Sequence, residues 1–342
     1  MSKPVLTIGI PCRDDFDGVF FTLQSLRMHH AEAMADVQII VADNNPDSAE
    51  GNAVAKLCAA AQGPRPTRHL KAGELNGPAA VKQRIFDEAE TDGVLCMDSH
   101  VLLQPGAVAA LVQMFRSGND GGNLLHGPLI YDDLQGHSTH FALKWSGNMW
   151  GVWAVAWRCP CGAPFQIGLH IIENRGMVRA ESMSHPHPVI EACGECGKPF
   201  PTCIPWNCHE KPMMDAGYRH AVEGGAFEIP AQGMGLFACR KDTWPGFPVG
   251  CRGFGGEEGI IHEKVRQRGR MALCLPWLGW LHRFQRPRGV PYACRAEDQL
   301  WNYLVGFSSL GLPVAEVIDH FRPQMNPNSL QTILLEFSMM NP

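Results

Sequence analysis

The chain has 342 residues, of which 45% are hydrophobic and 18% are charged, and its formal net charge is −5. This length allows one large or two small domains, and the composition is ordinary for a soluble globular enzyme. The negative charge argues against nonspecific binding to polyanions. No signal peptide begins the chain, and its longest apolar stretch, 271–281, contains Pro276 and is too short to span a bilayer. We therefore expect a cytoplasmic protein that does not contact membranes, in which the thirteen cysteines are thiols or metal ligands.

Strands and helices are predicted to alternate along the first part of the chain. Short apolar runs at 5–10, 37–42 and 94–97 predict buried strands, and helical spacing of apolar residues predicts helices at 16–29, 49–61 and 78–89. This rhythm predicts βαβ units and a parallel sheet. Further on, the expected elements are a strand at 124–131, a tryptophan-rich β-hairpin at 141–157, and helices at 296–307 and 313–321.

Polar side chains follow each of the first three predicted strands, at 13–15, 43–44 and 98–100. Because ligands bind beyond the carboxyl ends of the strands in open α/β folds, the three clusters are expected to converge on one crevice. Asp98 and His100 offer a carboxylate oxygen and an imidazole nitrogen to a single divalent cation. The alternative is a polar turn in which Asp98 caps the next helix. The sequence has no Gly-x-Gly-x-x-Gly after the first strand, so the dinucleotide fingerprint is missing.

Four motifs in this order resemble the nucleotide-sugar half of a GT-A glycosyltransferase of the family 2 type. They are Thr-Ile-Gly-Ile-Pro at 7–11, Ile-Ile-Val-Ala-Asp-Asn-Asn at 39–45, Gly-Pro-Ala-Ala-Val-Lys at 77–82 and Met-Asp-Ser-His at 97–100. Family 2 enzymes usually carry Asp-x-Asp at the last site, and Asp-Ser-His is the form found in polypeptide N-acetylgalactosaminyltransferases. The resemblance implies an α/β fold of the GT-A type, with a Rossmann-like nucleotide-sugar half and a mixed sheet.

The same resemblance implies a UDP-sugar donor and a catalytic metal ion. It places Asp43 at the uracil or ribose and Asp98 and His100 on Mn²⁺ or Mg²⁺, which bridges the donor diphosphate. The other donor contacts expected in this half are Pro11, Arg13 and Lys82.

A second segment that resembles the same GT-A enzymes begins at residue 233 and contains Phe-Gly-Gly-Glu-Glu at 254–258. Glu257 or Glu258 is predicted to contact the donor sugar or to act as general base towards the acceptor hydroxyl. The alternative is that both acids are favoured there by the dipole of the helix that they begin.

His282 resembles the third metal ligand of the N-acetylgalactosaminyltransferases, so Asp98, His100 and His282 are predicted to form the metal site. Arg283, Arg286 and Arg288 follow at once, and guanidinium groups match phosphate geometry. Tyr292 lies in a segment that is expected to close on the donor.

A cysteine-rich insert separates the two blocks. Cys-x-x-Cys-Gly at 193–197 is typical of a zinc knuckle, in which a tight turn presents two thiolates to one tetrahedral ion. Cys159 and Cys161 complete a predicted structural Zn²⁺ site with Cys193 and Cys196, although Cys203, Cys208 and His209 remain open as replacements. The predicted organisation is a nucleotide-sugar half at 1–150, a zinc-ribbon-like insert at 151–212 and an acceptor half with C-terminal helices at 213–342.

The charged residues are unevenly distributed along the chain. Eleven basic and four acidic residues lie between Arg240 and Arg295, which suggests that this face binds an anion. A DNA backbone would fit, and so would the donor diphosphate alone.

The leading prediction is a metal-dependent glycosyltransferase that moves a hexose or N-acetylhexosamine from a UDP-sugar to a hydroxyl group of a macromolecule. Hydroxymethylated pyrimidine in DNA is favoured as the acceptor, because the reduced, zinc-bearing form resembles glycosyltransferases of bacteriophage genomes. The alternative acceptor is protein serine or threonine, which the Asp-Ser-His motif implies. A rival of another class is a zinc-ribbon binding module on an inactive transferase scaffold.

Overall fold

The structure is a computed structural model that describes residues 3–340 except 62, 133, 135–136, 155, 159–160, 162–171, 174–194, 198–203, 206–218, 221–224, 285 and 287–288. Its first part alternates strands and helices as the sequence predicts, with one additional strand at 67–71 that the sequence analysis did not predict. The strands are β1 (Leu6–Cys12), β2 (Val37–Asp43), β3 (Thr67–Lys71) and β4 (Gly93–Met97). The helices are α1 (Phe16–His29), α2 (Ala49–Ala60) and α3 (Pro78–Glu88).

These four strands are parallel to one another, with β1 between β2 and β4 and with β3 outside β2. All seven residues of β1 are buried, which is typical of a parallel strand covered on both faces by helices. Because Cys12 is in register with Asp43, the polar residues after β1 and β2 reach the same edge of the sheet.

Strands from later in the chain extend the sheet on the β4 side and make it mixed. The central one, β16 (Leu236–Arg240), runs antiparallel to β4 along its whole length. The strand order is β15-β17-β6-β16-β4-β1-β2-β3, where β6 is Leu124–His126, β15 is Phe227–Glu228 and β17 is Ala272–Cys274. The residues that precede and follow the cysteine-rich insert therefore share one sheet, which confirms the mixed α/β fold.

A second, smaller sheet brings distant residues to the end of β4. It has the order β5-β18-β7-β8, in which β5 is Val101–Leu103, β7 is Leu129–Tyr131, β8 is His137–Ser138 and β18 is Trp280–His282. In the antiparallel pairing of β18 with β5, His282 lies opposite Val101, next to His100. Helix α4 (Ala107–Ser117) follows β5 directly.

The predicted hairpin is present, as β9 (His140–Ser146) and β10 (Met149–Ala154). Its Trp145 and Trp150 pack against the aromatic side chains of Tyr303 and Phe307 in a C-terminal helical cluster, so they are packing residues and not exposed stacking surfaces. That cluster consists of α5 (Glu258–Gln267), α6 (Ala296–Leu310), α7 (Val314–Phe321) and α8 (Pro327–Met340).

Residues 124–131 do not form the single strand expected, because they divide into β6 and β7 in different sheets. Between them a Cβ atom added at Gly127 would lie 1.7 Å from the carbonyl oxygen of Leu278, so only glycine permits this close approach. The insert contains the two-residue strands β11 (Trp157–Arg158), β12 (Ile172–Glu173) and β13 (Ile204–Pro205), and β14 (Arg219–His220) follows it. Among the described residues, no helix combines the length and the apolar character needed to cross a membrane.

Candidate active site

The carboxyl ends of the parallel strands open into a cleft with a volume of about 460 Å³. The segments that follow β1, β2 and β4 contribute to its wall, as does the N-terminus of α3. Opposite them lie residues 252–254, the segment 291–295 and Arg286. The three polar clusters predicted to meet in one crevice all contribute to this cleft.

Asp98, His100 and His282 come together at the end of β4. One potential ligand atom from each lies within 4.8 Å of the other two, and among the described residues this is the cluster that could hold a metal ion. The Nε2 atoms of the two histidines are 3.1 Å apart, and Nε2 of His282 is 3.7 Å from Oδ2 of Asp98. A carboxylate with two imidazoles suits a first-row divalent ion such as Mn²⁺. The donor set therefore fits the predicted metal.

Asp98 does not cap a helix, since β5 begins only three residues later, at Val101. Instead its Oδ1 atom lies 3.1 Å from the ammonium group of Lys82, whose side chain is buried and also donates to the carbonyl oxygen of Met234. Burial alone would raise the pKa of Asp98 and lower that of Lys82. The charge of Lys82 and the interactions with His100 and His282 together outweigh burial and lower the pKa of Asp98. Asp98, with the nearby Cys96 and Glu257, likewise raises the pKa of Lys82. The pair stays ionised, and Oδ2 of Asp98 remains directed towards the histidines.

His100 is held from two sides. Its Nδ1 atom lies 3.0 Å from Oδ2 of Asp15, the same oxygen that accepts a hydrogen bond from the Ser99 hydroxyl at 2.6 Å. The guanidinium group of Arg286 lies 2.9 Å from Nε2 of His100. A cationic group can therefore sit beside this ring nitrogen, as a bound metal ion would.

Asp15 was not among the predicted metal or donor contacts, whereas Arg286 belongs to the run of arginines predicted to match phosphate. The signal for Asp15 was its place in the polar cluster after β1, and that for Arg286 was the arginine-rich run after His282. Although burial works against its ionisation, hydrogen bonds from His100 and Ser99 lower the pKa of Asp15 to about 2.

Glu257 and Glu258 lie where α5 begins, as the Gly-Gly-Glu element predicts. Glu257 is buried, and burial together with the charge of Glu258 raises its pKa to about 8. The charges of Lys82 and Asp98 also act on the pKa of Glu257, Lys82 lowering it and Asp98 raising it. Burial likewise raises the pKa of Glu258.

The structure places most predicted donor contacts at the cleft. Pro11, Arg13, Lys82 and Tyr292 all line it, and the ring of Tyr292 stacks on that of Phe254 with centroids 4.7 Å apart. Arg283 lies instead in a small adjoining depression that Asp15 and Arg286 also line. Arg288 lies outside the described residues.

Asp43 is not brought to the cleft. Its side chain is fully buried, where it accepts a hydrogen bond from the backbone N–H of Asn45 and lies 3.3 Å from Nε2 of His69. Successive residues of a strand point to opposite faces, so the next residue, Asn44, lines the cleft in its place. The buried Oδ1 atom of Asn44 has no hydrogen-bond partner among the described residues.

The basic residues between Arg240 and Arg295, called the basic segment below, do not form one anion-binding face. Arg252, Arg286 and Arg295 line the cleft. The bases between Arg240 and Arg270 are engaged within the protein, including Arg252, which pairs with Asp298 and Glu336. Arg240 and Arg266 pair with acids, and Lys241, Lys264, Arg268 and Arg270 donate to backbone carbonyl groups.

The structure tests the predicted zinc site only in part. Cys161 and Cys196 are exposed, while Cys159 and Cys193 lie outside the described residues. A zinc-ribbon insert is therefore not shown.

The fold is shared with glycosyltransferases of known structure. A structure of GalNAc-T7 with UDP, GalNAc and Mn²⁺ matches with a TM-score of 0.53 and 13% identity, covering 90% of this chain and 48% of that chain. S. aureus TarS 1-349 in complex with UDP-GlcNAc matches with a TM-score of 0.50 and 10% identity, covering 97% and 80%. This chain thus spans about half the length of the GalNAc-T7 chain. No curated protein sequence matches it significantly.

The chain has the mixed α/β, GT-A-like fold of these glycosyltransferase structures. Residues 7–143 match the family model described as Glycosyl transferase family 2. The matched segment contains the Asp-Ser-His motif at the end of β4, so it supplies two of the three candidate metal-binding side chains.

Proposed function

We propose that this protein is a metal-dependent glycosyltransferase that moves a hexose or N-acetylhexosamine from a UDP-sugar to a hydroxyl group of a macromolecule. The observation that carries the proposal is the meeting of Asp98, His100 and His282 in one cluster, of which Asp98 and His100 line the cleft. GalNAc-T7 binds UDP and Mn²⁺, and TarS binds UDP-GlcNAc, on the same fold.

Each side of the cleft has a part in this reaction. Asp98, His100 and His282 would hold Mn²⁺ or Mg²⁺, which neutralises the charge that develops on the departing diphosphate. Arg286 adds a fixed positive charge beside His100, and Lys82 keeps Asp98 ionised. Arg13, Asn44 and Pro11 line the cleft, and the nucleoside is proposed to bind to them. Tyr292 contacts the donor from the opposite side.

Glu257 is proposed as the group that takes the acceptor proton, with Glu258 setting its pKa. Since its pKa is raised to about 8, the carboxylate needed for a base forms as the pH rises through that value. Transfer should therefore accelerate between pH 7 and pH 9, and the rise should be lost in Glu257→Gln. A flat profile in that range would assign Glu257 to sugar contact or helix packing instead.

Two acceptor classes follow from two observations. Three arginines at the cleft suit a polyanion that carries the hydroxyl group, and hydroxymethylated DNA is the first candidate. An enzyme acting on such a base would have to flip it out of the helix. The Asp-Ser-His motif instead favours serine or threonine of a protein.

The deciding experiment incubates the protein and Mn²⁺ with a panel of UDP-sugars, and with hydroxymethylated DNA or a Ser/Thr peptide. Mass spectrometry detects the mass gain of one sugar on either acceptor. Release of UDP measures cleavage of the donor when no acceptor is present. Donor cleavage by the wild type but not by His282→Ala would support the proposal. No cleavage of any UDP-sugar, with or without Mn²⁺, would favour an inactive scaffold that binds through its cysteine-rich insert.

We further propose that 151–212 is an inserted module between a nucleotide-sugar half, 1–150, and an acceptor half, 213–342. Cys159, Cys161, Cys193 and Cys196 are proposed to bind one structural zinc ion, because so small a segment needs the metal for its folding energy. Metal analysis should find one zinc per chain. The double substitution of Cys193 and Cys196 by serine should remove it, whereas Cys294→Ser, at an exposed cysteine beyond the insert, should not. Zinc-free wild-type protein would contradict this.

A further inference from the structure

Asp15 joins two structural elements through one carboxylate. It precedes α1 as the N-cap residue, and its Oδ1 atom accepts a hydrogen bond from the backbone N–H of Gly18 at 3.2 Å. Its Oδ2 atom faces the end of β4, where it contacts the Ser99 hydroxyl at 2.6 Å and Nδ1 of His100 at 3.0 Å. The carboxylate is thus held by α1 while it touches a metal-binding histidine.

These contacts determine which ring nitrogen of His100 carries its hydrogen. A neutral imidazole has one N–H and one lone pair, and an ionised carboxylate only accepts hydrogen bonds. The nitrogen facing Asp15, Nδ1, must therefore be the donor, which leaves the lone pair on Nε2. Arg286 agrees with this assignment, because its guanidinium group can only donate and it lies 2.9 Å from Nε2.

We propose that Asp15 is a positioning residue for the metal site: it fixes the tautomer and orientation of His100 so that the Nε2 lone pair points at the cation. The inference rests on the proposed function for the identity of that cation. His282 has no equivalent support, since its buried Nδ1 atom has no hydrogen-bond partner among the described residues. Of the two histidines, His100 is the preorganised one.

Asp15→Asn tests this without removing the helix cap, since asparagine is as good an N-cap as aspartate. When its amide oxygen caps α1, its NH₂ group faces Nδ1 of His100 and can only donate to it. The ring must then move its hydrogen to Nε2, which cannot bind a metal in that state. Losing such a partner typically weakens metal binding by about 10–100-fold.

The measurement is Mn²⁺ binding to the full chain with the metal alone, read from the electron paramagnetic resonance signal of free Mn²⁺. The matched control is Asp17→Asn, which removes the same charge from an exposed site in the first turn of α1. Weakening of 10-fold or more in Asp15→Asn with little change in Asp17→Asn is the expected result. Equal affinities in Asp15→Asn and the wild type would overturn the inference.

A second measurement does not depend on any Asp15 variant folding. Nitrogen-15 NMR of the ring nitrogens in metal-free wild type, with His100→Gln used for assignment, should show hydrogen on Nδ1 of His100. Hydrogen on Nε2 would overturn the inference. Wild type that binds Mn²⁺ in an Asp15-dependent way but cleaves no UDP-sugar would refute the proposed function and leave the positioning role intact. Wild type that binds no Mn²⁺ would refute both.

Discussion

Two histidine pairs in this protein have nearly the same separation and very different surroundings. In the pair at the cleft, the Nε2 atoms of His100 and His282 are 3.1 Å apart. In the second pair, the Nε2 atoms of His126 at the end of β6 and His262 in α5 are 3.0 Å apart. Among the described residues, only the first pair forms a group with a carboxylate, that of Asp98, that could hold a metal ion.

The imidazole rings of the second pair form hydrogen bonds with backbone groups. His126 donates from Nδ1 to the carbonyl oxygen of Leu236, and His262 donates from Nδ1 to that of Glu258 while accepting from the N–H of Gln232. Both rings are fully buried, and burial lowers the pKa of each, that of His262 to about 3. The comparison teaches that a metal site here depends on a carboxylate and access to the cleft, and not on the spacing of two imidazoles.

The largest effect is expected from substitutions that separate the two pairs by function. His100→Ala should abolish Mn²⁺ binding and slow donor cleavage by about 1,000-fold, since a bound ion supplies several kcal/mol of charge stabilisation in the transition state. His262→Ala should leave Mn²⁺ affinity within about threefold of the wild type, a binding change under 1 kcal/mol. Metal titration and UDP release check both. Loss of Mn²⁺ binding in a folded His262→Ala variant would contradict the functional distinction between the two histidine pairs.

Lys82→Met tests the carboxylate that distinguishes the first pair. It leaves the Asp98 charge without its buried partner and should lower the free energy of unfolding by about 3 kcal/mol, the lower end for such pairs because a quarter of the Asp98 side chain is exposed. Urea denaturation measures this. The control is Lys71→Met, which breaks an exposed pair with Asp47 and should cost under about 1 kcal/mol. Similar losses in both variants would mean that the Lys82 pair has no special role.

His262→Ala should instead act on stability. It removes hydrogen-bond partners of Gln232 and Glu258 and leaves a cavity, so the free energy of unfolding should fall by about 2 kcal/mol. The same urea experiment measures it. His29→Ala, at an exposed histidine at the end of α1, is the control and should change stability by less than about 0.5 kcal/mol.

A pH dependence that belongs to the second pair is also expected. The folded-state pKa of His262, about 3, lies below the unfolded value of about 6.5, so the unfolded chain takes up the proton first. Stability is thus retained above pH 6.5 and lost as the pH falls towards 3, by about 1.4 kcal/mol per pH unit for this one group. Denaturation between pH 7 and pH 5 should show a shallower slope in His262→Gln. An unchanged slope would contradict the assignment.

Local patterns predicted much of the fold and the centre of the site. The alternation of apolar runs and helical spacing located β1, β2, β4 and the helices between them to within two residues at most boundaries. The same patterns did not separate β6 from β7, because the contact of Gly127 with Leu278 that divides them is made by a distant part of the chain. Nor did they predict α8, at the end of the chain.

Two predictions of detail show why the rest required coordinates. Asp43 and Asn44 are adjacent polar residues at the end of β2, and successive residues there point in opposite directions. A shift of one residue therefore decides which of the two side chains faces the cleft. The basic segment had the charge expected of an anion-binding face, yet its arginines and lysines are distributed over several elements and mostly bind carbonyl groups and acids of the protein.

The sequence by itself determined the sheet-forming strands and the polar clusters that follow them, because these depend on periodicity and on residue chemistry over short distances. His282 was added to the candidate metal site by resemblance to known enzymes and not by any local pattern. The tertiary structure alone decided that His282 lies beside His100, through the pairing of β18 with β5, and that Asp15 reaches the same ring. Such contacts join residues far apart in the chain. Their geometry follows from strand register and packing, which no local pattern specifies.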